Sequence, residues 1–139
     1  MGQSNRRWQP LLDTEYLGRH ARLIAEIVSA FERRDTDRLA ELVHPDAVIE
    51  PRPSPEPLYG PDGVTGYINS MRRRLATVNV TSVQEIATDA VLIEGREQWQ
   101  AEDNTLRDTP VVWVVRFRND LIWRTRTYTN RQEALDQEA

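Results

Sequence analysis

The C-terminal part of the chain alternates apolar and polar residues with a two-residue period, which is the pattern of strands that bury one face. Between positions 91 and 128 this alternation predicts three successive strands. The apolar members share one face of the expected sheet: Val91, Ile93, Trp99, Val111, Trp113, Val115, Phe117 and Trp123. The other face mixes charged and aliphatic residues, so we expect a partner to cover part of it.

The N-terminal half has a different period, with apolar residues at three- and four-residue steps. This period predicts a long amphipathic helix over about 15–34, a shorter helix that ends at 44–46, and a third helix over about 64–75. A short strand is expected at 47–50. The prolines that follow it, at 51–57, lack backbone donors and therefore predict a rim loop.

The order of these elements defines an α+β fold class, because three helices with a short strand among them precede four antiparallel strands. We expect a curved antiparallel sheet that wraps over the three N-terminal helices and forms a cone with an internal pocket. The length of 139 residues suits one domain. We therefore predict a mobile N-terminal arm at 1–14 and a single domain at 15–139, which ends in a short polar surface tail after Asn130.

The composition excludes several kinds of chemistry. The chain has no cysteine, and all 18 of its basic residues are arginine, so thiol and lysine nucleophiles are absent. The net charge of −4 and the short length of the basic cluster at 72–74 disfavour nucleic-acid binding. No apolar run suits a membrane span or an export signal, so we expect a cytoplasmic protein that does not enter the membrane. Two histidines without ligand spacing and the lack of a glycine-rich loop predict no metal and no cofactor.

One acidic residue interrupts the apolar face of the predicted sheet. Glu97 has the same parity as Ile93 and Trp99, and a carboxylate held among tryptophans is suited to moving a proton near neutral pH. We therefore take Glu97 as the candidate catalytic residue. The alternatives are an ion pair with an arginine such as Arg52, or an open position at the rim of the cone.

Five further residues are candidates for contact with a bound molecule. Tyr59, Thr125 and Thr127 offer hydroxyl groups, and Tyr59 would lie at the mouth of the pocket. Trp99 and Trp113 offer flat apolar surfaces that suit a polycyclic or terpenoid-like ligand, although tryptophans at these positions are equally suited to an ordinary core.

The outer face of the predicted sheet suits contact with a second copy of the chain. Its charged residues are Glu94, Arg96, Arg116, Arg118, Arg124 and Arg126, and they alternate with Val112, Val114 and Ile122. A two-fold contact would bury the aliphatic residues and let the charges pair across the axis. We therefore predict a homodimer through this face.

Several local motifs, in this order and spacing, carry a resemblance to a known family. They are Phe31-Glu32-Arg33-Arg34-Asp35, Leu42-Val43-His44-Pro45-Asp46-Ala47-Val48, Tyr59-Gly60-Pro61-Asp62-Gly63-Val64, and Leu121-Ile122 followed by Arg126, Tyr128 and Asn130. The span from about Leu23 to Ala134 resembles the SnoaL-like polyketide cyclase family. That family is a branch of the nuclear transport factor 2-like superfamily, which includes ketosteroid isomerases and limonene-type epoxide hydrolases. The resemblance implies a cone-shaped fold with a pocket.

Comparison with the better-defined branches of the superfamily leaves one acid in place. Limonene-type epoxide hydrolases use an arginine and two aspartates, and the matching positions here are Gly95, Glu97 and Thr127. The aspartate base and the helix tyrosine of the isomerases match Pro51 and Ile27. SnoaL-like cyclases use an aspartate base in the pocket, and Glu97 is the one acidic residue whose position allows it to take that role.

The resemblance therefore implies a protein that binds a small apolar molecule in its pocket. Cofactor-free acid/base isomerisation, cyclisation or epoxide hydrolysis through Glu97 is compatible with it. The alternative is a non-catalytic ligand-binding or dimerisation module of the same fold.

Overall fold

A computed structural model describes residues 14–51, 56–73 and 76–138. Its helices are α1 (Thr14–Arg33), α2 (Thr36–Glu41), α3 (Gly60–Arg73) and α4 (Arg131–Glu138). Its strands are β1 (Val43–Glu50), β2 (Leu58–Tyr59), β3 (Thr77–Ala87), β4 (Ala90–Gln100), β5 (Leu106–Arg118) and β6 (Leu121–Tyr128). Of the arm predicted at 1–14, all but Thr14 lies outside the described residues.

The six strands form one sheet in the order β2-β1-β6-β5-β4-β3. Neighbouring strands are antiparallel except for β1 and β6, which run parallel. The predicted α+β class, with a curved, mainly antiparallel sheet and helices against it, is therefore confirmed. The tight turn between β5 and β6 has positive φ at both Asn119 and Asp120, as a two-residue hairpin requires.

The first strand is longer than the sequence pattern predicted. β1 begins at Val43 and includes His44, Pro45 and Asp46, although the sequence pattern predicts that these residues end the second helix. That helix ends at Glu41 instead. The pairing of β1 with β6 shifts register between Val43 and Val48, and this irregularity accommodates the proline within the strand.

The main core lies between the inner face of the sheet and the helices α1, α2 and α3. Buried residues of the helices include Ile24, Val28, Leu39 and Ile68. They meet the predicted apolar face of the sheet, of which these members are buried: Val91, Ile93, Val111, Trp113, Val115 and Phe117. The two-residue period therefore identified this face correctly over β4 and β5.

The prediction for Trp123 was wrong, because the alternation breaks in β6. Arg116 pairs with Arg124 but Phe117 pairs with Ile122, so the register shifts by one residue at Trp123. Ile122 consequently joins the main core in its place. Trp123 is half-buried, and the Arg118 guanidinium lies 3.9 Å from its ring centroid. A single-residue bulge exchanges the faces of a strand, and the apolar pattern does not reveal it when both residues are apolar.

The polar segment after Asn130, predicted as a surface tail, forms the helix α4 and packs on the outer face of the sheet. Ala134 is fully buried there in a second core cluster. The other members of this cluster are Ala90, Leu92, Val112, Val114 and Tyr128. The aliphatic residues of the outer face are therefore covered by the chain's own last helix.

Charged contacts also attach α4 to the sheet. The Glu138 side chain is only 1% exposed, and its Oε1 accepts hydrogen bonds from Arg116 Nε at 3.0 Å and Arg124 Nη2 at 2.9 Å. Its Oε2 accepts a hydrogen bond from the Tyr128 hydroxyl. Several of the arginines predicted to pair across strands thus converge on one carboxylate from the last helix.

Candidate functional site

A cavity of ≈110 Å³ lies between the three N-terminal helices and the inner face of the sheet. Helices, strands β1 and β3–β6, and the residue that follows β1 all contribute to its wall. The described residues that line it are Ile27, Val28, Phe31, Leu39, Ile49, Pro51, Val64, Tyr67, Val80, Ile93, Trp113, Val115, Ile122, Thr125 and Thr127. The wall is therefore almost entirely apolar.

Local sequence features place the helical part of this wall. Ile27 and Phe31 are four residues apart on α1 and so point to the same side of the helix. The side chain of Asp35 caps α2 by accepting a hydrogen bond from the Arg38 backbone N–H at 3.1 Å, which fixes the start of the helix that carries Leu39. On the sheet, Ile93 of β4 lies directly opposite Trp113 of β5.

Three aromatic rings form one part of the cavity wall. The rings of Phe31 and Tyr67 stack with centroids 6.3 Å apart and an interplanar angle of 23°. Phe31 and Trp113 meet edge to face, with centroids 6.4 Å apart and an angle of 65°. These are the arrangements that aromatic pairs prefer. The wall thus offers both ring faces and ring edges to a bound molecule.

The polar groups of the wall include three hydroxyls. Thr125 lies between Ile49 of β1 and Val115 of β5, and Thr127 lies opposite Trp113. Tyr67 supplies the third from α3. Among the described residues that line the cavity there is no carboxylate and no histidine. The arrangement suits a molecule that is mostly apolar and has few hydrogen-bonding groups.

The structure brings together three of the six predicted site residues. Trp113, Thr125 and Thr127 all line the cavity. Glu97, Trp99 and Tyr59 are not among the described lining residues. Tyr59 is 65% exposed on β2, opposite Val48. Trp99 is partly buried and packs against the main core.

Glu97 is half-buried on β4, directly opposite Val78 of β3 and Thr109 of β5. Residues directly opposite each other in a sheet share a face. Val78 packs against the main core, so Glu97 lies on the inner side of the sheet, beyond the cavity-lining Ile93 along β4. Its assignment as a catalytic residue stays a prediction.

Phe31, Ile49 and Pro51 line the cavity but were not among the predicted ligand contacts. The helical period indicated that Phe31 faces the core. It did not indicate that the ring borders an empty space, because that depends on how closely α1 and α3 approach the sheet. Ile49 and Pro51 reach the wall through the parallel pairing of β1 with β6. No local pattern indicated this pairing.

Gly95 occupies the position that matches the arginine of limonene-type epoxide hydrolases. A Cβ atom at Gly95 would lie 2.7 Å from the backbone oxygen of Asn79 on β3. Contacts this short require the backbone to shift. The strands therefore leave no room for a side chain at this position.

The described residues contain neither a candidate metal site nor a helix that could span a membrane. Within the described ranges, no three carboxylate or imidazole side chains cluster closely enough to hold a metal ion. In the same part of the chain, none of the helices combines the length and the apolar character needed to cross a bilayer.

A curved sheet packed on three helices, with an apolar cavity between them, defines a protein of the nuclear transport factor 2-like fold class. Residues 24–125 match the model of the SnoaL-like domain, and the chain belongs to this family. No curated protein has a sequence that matches the chain.

Solved structures with the same fold are similar in shape but distant in sequence. A protein of ketosteroid isomerase-like fold from Catenulispora acidiphila, in complex with trimethylamine, has a TM-score of 0.66 and 18% identity, over 83% of this chain and 90% of that one. A Mycobacterium tuberculosis protein in complex with estradiol-17beta-hemisuccinate has a TM-score of 0.64 and 16% identity, over 79% of this chain and 92% of that one. TerC, co-crystallised with polyporic acid, has a TM-score of 0.67 and 15% identity, over 85% of this chain and 95% of that one.

Proposed function

We propose that the protein binds a small apolar molecule in the cavity between the inner face of the sheet and helices α1–α3. The observation that carries this proposal is the cavity itself, which has an apolar wall that includes three hydroxyl-bearing residues. Such pockets are the usual form of small-molecule sites. The proteins of similar fold that were crystallised with estradiol-17beta-hemisuccinate and with polyporic acid support the binding of a small molecule by this fold.

A second candidate function is proton transfer to and from the bound molecule by Glu97. The observation that favours it is the position of Glu97 on the inner side of β4, half-buried and in line with Ile93 of the cavity wall. In this reaction the carboxylate removes a proton from the carbon next to a carbonyl group, which leaves an enolate and a neutral carboxylic acid. Return of the proton at the same or another carbon completes an isomerisation.

Binding ranks first because the described cavity wall contains no carboxylate. Proton transfer requires, in addition, that the ligand extends along β4 as far as Glu97. Cyclisation and epoxide hydrolysis would also use Glu97 to move a proton, and both would also require a ligand that extends from the cavity to Glu97. The absence of room at Gly95 disfavours the epoxide hydrolase arrangement.

The binding proposal is tested with a variant that fills the cavity. Val64 lines the cavity from α3 and is half-buried, so V64W adds a ring there at little cost in overpacking. Amide NMR shifts are followed as p-xylene, naphthalene or estradiol is added. We expect at least one of these compounds to shift cavity residues in the wild type and none to do so in V64W.

The matched control is V48W, because Val48 is also half-buried but does not line the cavity. It should bind as the wild type does. If none of the three compounds binds the wild type, or if V64W binds as well as V48W, the binding proposal is wrong.

The two candidate functions are separated by deuterium exchange of the methyl protons of acetophenone in heavy water. If Glu97 transfers protons, the wild type accelerates this exchange, and the accelerated rate falls by at least about 100-fold in E97Q. The control is E102Q, at an exposed residue of a turn, which should exchange at the wild-type rate. Acetophenone that binds without accelerated exchange, or exchange that E97Q leaves unchanged, would leave binding as the function.

We also propose a homodimer through the part of the outer sheet face that α4 leaves open. An open groove there is lined by Thr81 of β3, Arg96 of β4 and Pro110 of β5, next to the first residues of α4. The apolar residues of the outer face are already covered by α4, so this contact would be mainly polar.

A further inference from the structure

We propose that the cavity selects a molecule with one flat ring that carries a single hydroxyl or carbonyl group, and that Thr125 binds this group. The inference rests on the proposed binding function and narrows its ligand class. It follows from the size of the cavity, from its aromatic wall and from the setting of one hydroxyl.

The size of the cavity limits the ligand to about one ring. Its volume is ≈110 Å³. An engineered apolar cavity of about 150 Å³ in another protein stays dry and binds benzene. A four-ring molecule would have to leave most of its rings outside this volume. The preferred ligand is therefore smaller than the polycyclic molecules that Trp99 and Trp113 suggested from the sequence.

The aromatic wall gives the cavity a preference for a flat molecule. Phe31 stacks on Tyr67 and makes an edge-to-face contact with Trp113, and all three residues line the cavity. A planar ring can add to this cluster by stacking or by an edge contact, as aromatic rings do with one another. A bulky saturated molecule of the same volume makes fewer such contacts.

Thr125 supplies a hydrogen-bonding group in an otherwise apolar part of the wall. Its strand neighbours Ile49 and Val115 both line the cavity beside it. The Thr125 hydroxyl makes no side-chain hydrogen bond to any residue within the described ranges. Every fully buried side-chain oxygen or nitrogen of the described residues does have a hydrogen-bond partner, so the unbonded Thr125 hydroxyl is not fully buried. Its hydroxyl therefore faces accessible space.

A ligand that covers this hydroxyl without bonding to it removes its access to water. Leaving a buried polar group unpaired is costly, whereas a hydroxyl or carbonyl group on the ligand restores the lost hydrogen bond. Thr125 therefore acts as a specificity residue, and it discriminates between molecules of equal size by one polar group.

The test compares p-cresol with p-xylene, which have nearly the same shape because p-cresol has a hydroxyl group in place of one methyl group of p-xylene. Dissociation constants for both are measured by amide NMR titration on the wild type, on T125V and on T109V. Valine matches threonine in shape. Thr109 is an exposed threonine of β5 outside the cavity wall, which makes T109V a matched control. The preference for p-cresol over p-xylene should fall about two- to tenfold in T125V and stay unchanged in T109V.

Estradiol, titrated in the same way, tests the limit on size. We expect it to bind more weakly than p-cresol to the wild type, although it contains a phenol ring. Tighter binding of estradiol, or an unchanged preference in T125V, would overturn this inference while leaving the cavity as the binding site. Failure of all the compounds to bind would instead overturn the proposed function.

Discussion

Gly95 shows how a single position is fixed by the distance between two strands. The nearest atoms to a Cβ built there belong to the backbone of β3, at Asn79 and Val80. Backbone atoms cannot rotate out of the way as the end of a side chain could, so the whole strand would have to move. The need for glycine comes from this close approach and from no special backbone angle. The β3–β4 pairing is irregular just after this point, between Val80 and Ser82.

We expect G95A to destabilise the protein by about 1–3 kcal/mol, because the methyl group would force the strands apart. The matched control is G66A, on the exposed side of α3, where a Cβ would meet nothing within 4 Å. Alanine favours a helix over glycine, so G66A should stabilise the protein by about 0.5–1 kcal/mol. Urea unfolding measures both changes. Equal stability of G95A and the wild type would show that the two strands separate without cost.

Strand period alone indicated which face of β5 is buried, and Trp113 of that face lines the cavity. Thr125 and Thr127 were singled out for their hydroxyl groups, and both also line the cavity, but their contact with a ligand stays a prediction. The extent of the cavity along β4 was not predictable in this way. Ile93 is in the wall while Glu97, four residues further on, is not among its described residues. That limit depends on where the helices end above the sheet.

At the scale of the element, one buried carboxylate adds to the apolar packing that holds α4 on the sheet. Burial raises the pKa of Glu138, but the hydrogen bonds from Tyr128 and Arg116 and the charges of Arg124 and Arg116 outweigh it, so the pKa lies below its usual value. The lowered pKa means that the charged form of Glu138 stabilises the folded state. This contribution is fully present above the unfolded pKa of about 4.3 and is lost as the pH falls through the lower, folded value.

We expect E138Q to release α4 from the sheet at pH 7, because it removes the charge that Arg116 and Arg124 share. Charged hydrogen bonds of this kind contribute about 1.5–3 kcal/mol each, and a glutamine retains part of the interaction. Hydrogen exchange of the α4 amides should therefore accelerate at least about tenfold relative to the rest of the sheet. Urea unfolding gives the matching change in global stability.

The control for E138Q is D136N, an exposed acid on the same helix. It should leave the α4 amides protected. The stability difference between the wild type and E138Q should shrink as the pH falls through the Glu138 pKa, since both side chains are then neutral. A difference that stays constant down to acid pH would contradict the charge-based account.

The docking of α4 could not be predicted from its own sequence. Its apolar residues are few, with Ala134 and Leu135 at its centre, and it has no amphipathic period. Its attachment depends on Glu138 meeting arginines of β5 and β6, which lie far from it in sequence. A pattern within one segment carries no information about such a partner, so a polar surface tail was the natural expectation.

At the scale of the whole molecule, one sheet serves two cores. Its inner face packs on α1–α3 and surrounds the cavity, and its outer face packs on α4. The element order and the strand period were sufficient for the α+β class. The parallel contact of β1 with β6 was not predicted, because it joins two segments that are far apart in the sequence.

The proposed homodimer predicts a particle of twice the chain mass of 16.1 kDa in light scattering after gel filtration. T81R places an extra charge on the open part of the outer face and should give the monomer. T88R places the same charge on an exposed threonine of the β3–β4 turn and should remain dimeric. A monomeric wild type at all concentrations, or a dimeric T81R, would rule out a dimer through this face.

The parallel pairing of β1 and β6 has a consequence for how the protein folds. The Arg126–Glu50 contact between these strands joins residues 76 positions apart, so a long loop must close before β1, which also pairs with the nearby β2, gains this second neighbour. Ile49 and Thr125 become neighbours in this same step. During synthesis, β1 can therefore pair with β6 only when nearly the whole chain has left the ribosome. The cavity wall is complete only after this pairing, and a shortened chain that lacks β6 would lose Ile122, Thr125 and Thr127 from it.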